Sequence, residues 1–327
     1  MTKLFQSGII LQAAIILLLF VLLWLRPLLA PPAIEVGDHP AWLFHQTALL
    51  LQDVPLLAVI LAMVLVLAEG VMLNLLLANL SLVPQNSLLP TLLYVLLFSA
   101  AATTLTPTIL ACGCLIAALN QLLLRGAPLT ITSTRICGAT LLISLASLFF
   151  QPAILFVLSY LLIASNYRLY SWRDWMLMIL GLAAPYAAFV LILYLTHGLD
   201  PWWQTTLEAF RFTLPDLHMP LASLLAYAFT AAVLLWSLLL VAGRLTERPA
   251  VWQKNATTVL LFMVGAIPVT LYVSNPTLAL CAIPFAFGAT RMLLPGGESR
   301  TAQRRKKHTA LINDTILILI IVAAFLC

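Results

Sequence analysis

The chain has 327 residues, of which 63% are hydrophobic and only 8% charged, with a mean hydropathy of +1.08 and a net charge of +5. A soluble domain carries about 25% charged residues, so a water-coated globule is excluded. The basic residues are scattered singly apart from a cluster at Arg300–Lys307, which excludes a nucleic-acid-binding face.

Continuous apolar runs, rather than short alternating ones, predict an all-α polytopic membrane domain filling residues 1–327. Eleven spans are expected, at 9–25, 54–77, 90–104, 107–124, 136–150, 152–165, 175–195, 221–241, 256–273, 277–294 and 310–327. The first follows Lys3 and ends at Arg26, and is read as an uncleaved span rather than a signal peptide. Prolines at 107, 152 and 276 mark tight hairpins, because proline cannot continue the preceding helix.

The positive-inside rule orients this layout. With the N-terminus cytoplasmic, 14 of the 16 basic residues fall on the inner side, and only Arg26 and Arg211 lie outside. The C-terminus is then expected on the periplasmic side of a bacterial inner membrane. The loop 295–309 is a basic cytoplasmic segment suited to anionic lipid.

Two outer loops are long, 26–53 and 196–220. They hold six of the eleven acids and four of the five histidines. Both contain interfacial helical patterns. Asp38 ahead of Pro40 reads as a helix start, and Trp203, Leu207, Phe210 and Leu214 share one helical face.

Candidate chemistry concentrates in these loops. Glu35 and Asp38, beside His39, suit a general base or a divalent-cation ligand, or else a solvated loop with a cap. Arg211 suits a phosphate through paired hydrogen bonds, with His218 nearby, or an i, i+3 pair with Glu208. Within the spans, Glu69 is an intramembrane acid. It can carry a proton, or sit neutral and hydrogen-bonded to Asn74 or Asn120. Cys112-Gly113-Cys114 lies inside a span with no histidine nearby, and reads as small packing residues. No resident cofactor is expected beyond such a cation.

The stretches NLLLANLSLVPQNSLLPTLLYVLLFS (74–99) and SLASLFFQPAILFVLSYLLIASNYRLYSWRDWMLMILGLAAPY (144–186) resemble a family of uncharacterised multi-pass inner-membrane proteins from Bacteroidota. That resemblance implies a location and no activity. The layout also resembles the seven-span module of C-type glycosyltransferases, which use polyprenyl-phosphate sugars. Their first and second long outer loops correspond to 26–53 and 196–220. The resemblance implies catalysis by Asp38 or Glu35, and a carrier phosphate held by Arg211 with His218 and His39. A scaffold or assembly factor bound to other inner-membrane proteins, and a transporter using Glu69, are the competing expectations. All three place the chain in the lipid bilayer.

Overall fold

A computed structural model of the chain describes residues 8–34, 41–123, 133–167, 171–196, 221–243, 245, 248–272, 278–294 and 306–326. Among them all regular structure is helical. The helices are α1 (Ile9–Leu29), α2 (Trp42–Leu51), α3 (Pro55–Asn79), α4 (Leu89–Ala101), α5 (Pro107–Leu123), α6 (Ser133–Phe149) and α7 (Phe156–Asn166). They continue with α8 (Trp172–Leu195), α9 (Leu221–Gly243), α10 (Ala250–Tyr272), α11 (Ala282–Leu293) and α12 (Lys306–Leu326). Each expected apolar span contains a helix, and α2 falls in the first long loop.

The prolines act where the backbone predicts. Pro55 and Pro107 open α3 and α5, where the missing N–H costs nothing. Pro152 lies in a short 3-10 turn, Gln151–Leu155, that precedes α7. Pro284 falls in the first turn of α11, so it does not interrupt that helix, whereas Pro268 lies inside α10. α2 begins at Trp42 with Ala41 as its N-cap and no side-chain cap.

Length sorts the helices between centre and rim. α1, α3 and α8 are each long and apolar enough to cross a membrane. They carry the large exposed apolar side chains, such as Leu18, Val64, Ile179 and Leu191. That outward-facing apolar surface fits a membrane protein, since a soluble chain rarely exposes so much. α4 and α11 are shorter, at 13 and 12 residues, and pack against each other in the centre. Leu92 to Phe98 of α4 and Ala282 to Ala289 of α11 are buried on every side. A 13-residue helix is about 20 Å long, less than the hydrocarbon core of about 30 Å. Protein around its ends satisfies the backbone groups that lipid would leave unpaired.

Hydrogen bonds fix the register between helices. Gln12 bonds the Asn86 carbonyl and the Leu88 N–H at one end of α1, and the Trp24 indole donates to Ser99 at the other (2.8 Å). α1 and α4 therefore run parallel. The pairs Thr140–Gly181, Ser144–Leu182 and Ser147–Tyr186 make α6 and α8 parallel as well. Tyr167 by Lys254 and Phe156 by Phe262 make α7 and α10 antiparallel.

Close contacts recur where glycine faces a small hydroxyl: Gly70 with Thr91, Gly181 with Thr140, Gly265 with Ser159, and Gly288 with Ser237. In lipid there is no hydrophobic drive between helices, so close backbone approach and interhelical hydrogen bonds hold the bundle.

Candidate functional site: a buried carboxyl between α3, α4 and α5

Glu69 lies midway along α3, on the face turned into the bundle, and is only 4% exposed. Its Oε2 accepts a 2.7 Å hydrogen bond from the Tyr94 hydroxyl of α4. Tyr94 is itself fully buried, stacked on Phe98 at 4.8 Å and within reach of the Cys112 thiol of α5. The Thr91 hydroxyl donates to the Gly70 carbonyl one turn away and locks α4 against α3 (3.2 Å).

The other carboxylate oxygen rests on Gly113 of α5. A Cβ added there would sit 2.6 Å from Oε1, so the missing side chain is the slot that admits the carboxyl. The Gly113 backbone N–H lies beside the carboxyl, but inside a helix such an N–H bonds the carbonyl four residues back. Oε1 is left without a hydrogen-bond partner. A buried unsatisfied acceptor costs about 1–3 kcal/mol.

Glu69 was legible in the sequence as a lone acid in an apolar span. Its partner was not. Tyr94, rather than Asn74 or Asn120, makes the hydrogen bond. Asn74 is buried, and its Oδ1, like that of Asn120, has no partner. Nothing marks Tyr94 in an apolar run, and Gly113 was readable only as a small residue between two thiols. Among the described residues no group of three or more His, Cys, Asp or Glu gathers to hold a metal.

The residues expected to carry outer-face chemistry (Glu35, Asp38, His39, Arg211 and His218) lie outside the described residues. Their supports do not. Trp42, the first residue of α2, packs on Phe189 of α8 with ring centroids 5.1 Å apart. Leu148 and Leu193 complete that cluster, with Tyr186 beside it. The end of the first long loop is thus anchored near the last turns of α8, from which the second long loop departs.

A further aromatic–cation group joins α7, α10 and α11. Arg248 and Arg291 lie over the Trp252 ring at 5.8 and 5.2 Å, and Lys254 lies over Tyr167 at 4.7 Å. Burial raises the Tyr167 phenol above its ordinary value, opposed by a hydrogen bond with Thr258, so a neutral ring faces the lysine.

Comparison of the chain with protein-family models, with curated proteins and with solved structures finds no match.

Proposed function

We propose that the protein is an eleven-span bacterial inner-membrane protein that transfers a sugar or related group from a polyprenyl-phosphate carrier at the periplasmic face. The observation that carries this reading is the seating of Trp42 on Phe189. Phe189 lies about 9 Å of helix rise before the end of α8. Trp42, within the segment 26–53, is therefore anchored beside the end of α8, the helix that precedes the segment 196–220. The first segment carries Glu35, Asp38 and His39, and the second carries Arg211 and His218.

The roles follow from the chemistry of those groups. Asp38 or Glu35 takes the proton from the acceptor hydroxyl, or holds a divalent cation. The acceptor oxygen bonds to the sugar carbon as the bond to the carrier phosphate breaks. Arg211, with His218, stabilises the departing polyprenyl phosphate. No soluble nucleotide-binding domain is needed, because the carrier bond is already activated.

Helix directions fit the span count. Parallel α1 and α4, parallel α6 and α8, and antiparallel α7 and α10 are what eleven alternating spans require. Arg248, Lys254 and Arg291 cluster with Trp252 and Tyr167, as cytoplasmic residues in an aromatic belt do.

The test is transfer from a radiolabelled polyprenyl-phosphate hexose by the purified protein in liposomes. Asp38→Asn or Glu35→Gln, and separately Arg211→Ala, should lower turnover by about 10²-fold or more. Full activity in the Asp38→Asn/Arg211→Ala double variant would overturn the reading. If a stoichiometric partner co-purifies at native levels and cellular function survives that double variant, the chain is a scaffold.

A further inference from the structure

Glu69 is the one acid that the described residues bury inside the bundle, and the outer-face reading makes no use of it. Its Oε1 has no partner, and the same is true of Asn74 Oδ1, Asn120 Oδ1 and Thr104 Oγ1. These four are oxygens on α3, α5 or the link between α4 and α5; the fifth such atom among the described residues, Asn166 Nδ2, lies apart at the end of α7. Each of the four oxygens can accept a hydrogen bond, and none receives one.

Their depths form an order. α4 is joined to α3 and to α5 by short links, so α3 and α5 run parallel. Asn74 lies five residues beyond Glu69, about 7.5 Å further along α3. Asn120 lies seven residues beyond Gly113, about 10.5 Å further along the face of α5 that meets Glu69. Both asparagines lead toward the end of the bundle where α1 begins. Thr104 lies toward the opposite end. Over rises of this size along the helices a polar path needs water between the side chains.

The ligand follows from the donor set. A divalent cation takes about six oxygens, and Glu69 offers one free oxygen, the other being held by Tyr94. A proton needs only one. The titratable groups around Glu69 are the Tyr94 phenol from α4 and the Cys112 and Cys114 thiols from α5. α1 and α2 also pack on α3. The polar side-chain groups they bury among the described residues are Gln12, bonded to Asn86 and Leu88, and the Trp24 indole, bonded to Ser99. Among the described residues around Glu69 no lysine or arginine is present to hold a permanent carboxylate charge.

We propose that Glu69 is an intramembrane proton-binding site reached by water from the α1-start end of the bundle, past Asn120 and Asn74. Tyr94 positions the carboxyl by donating to Oε2, and Gly113 leaves room for the protonatable Oε1. The site stands independently of the outer-face reading.

Infrared spectroscopy of the protein in liposomes tests it. The carbonyl stretch of a protonated carboxyl should be present in the wild type and missing in Glu69→Gln. It should shift on transfer to D₂O within minutes, and disappear as the pH is raised. Glu69→Asp, which keeps a carboxyl, should move the band rather than remove it, and so identifies it if the glutamine variant does not fold. Asn120→Leu should keep the band and slow its D₂O shift at least about tenfold, the order expected for losing one hydrogen-bonded link. Thr104→Val should leave that rate unchanged. A band that neither exchanges over hours nor titrates would make Glu69 a sealed structural acid and overturn the proposal. So would slowing by Thr104→Val but not by Asn120→Leu, which would place the access at the other face.

Discussion

At the scale of single residues, the Glu69 pocket is a three-part fit. The carboxyl is held by one hydroxyl and admitted by one missing side chain. Tyr94→Phe removes the hydroxyl that donates to Oε2 and should cost about 1–3 kcal/mol. Gly113→Ala pushes a methyl group against Oε1 and should cost a similar amount, about 1–3 kcal/mol, through overpacking. Thermal denaturation of the detergent-solubilised protein, followed by circular dichroism, reads both. If Gly113→Ala melts like the wild type, the carboxyl does not occupy the glycine slot. The acid was visible in the sequence because charge is rare in lipid-soluble runs. Tyr94 was invisible there because a tyrosine inside an apolar span is compositionally ordinary. Only the packing of α4 against α3 gives it a partner.

At the scale of helices, small residues set the spacing of neighbours. The α6–α8 pair meets at Gly181, where an added Cβ would run into Thr140 and the Cys137 carbonyl. The α7–α10 pair meets at Gly265, where it would approach Ser159 Oγ at 2.6 Å and the Phe156 backbone at 3.0 Å. Gly181→Ala and Gly265→Ala should each lower stability by about 1–3 kcal/mol. Gly138 lies inside α6 with nothing within 4 Å of its added Cβ. Gly138→Ala should therefore be neutral or stabilising, by up to about 1 kcal/mol from helix propensity. Equal losses at all three positions would mean that close approach is not what these glycines provide. Helix positions were readable from the apolar runs and their prolines. Helix neighbours were not, because an apolar run in lipid carries no strong moment to say which face is turned inward.

At the scale of the whole molecule, the proposed eleven-span orientation puts Asp53, after α2, and Asn86, between α3 and α4, on opposite sides of the membrane; both are exposed. In a variant whose native cysteines are replaced, Asp53→Cys should react with a membrane-impermeant maleimide from outside intact cells. Asn86→Cys should react only after permeabilisation. The reverse pattern would invert the chain, and labelling of both from outside would change the span count. The Trp42–Phe189 contact anchors α2 beside the last turns of α8.

The sequence by itself determined that the chain is helical and strongly apolar, roughly where its long helices lie, and that Glu69 is an anomaly among apolar neighbours. These are local properties, set by hydropathy, by proline geometry and by the cost of charge in lipid. The tertiary structure alone decided that the short helices α4 and α11 form the enclosed centre, that Tyr94 and Gly113 complete the Glu69 pocket, and that α2 is anchored on α8. Those outcomes depend on which faces meet. In a bundle held by close glycine contacts rather than by an apolar–polar division, that information lies in pairs of distant residues and not in any one stretch.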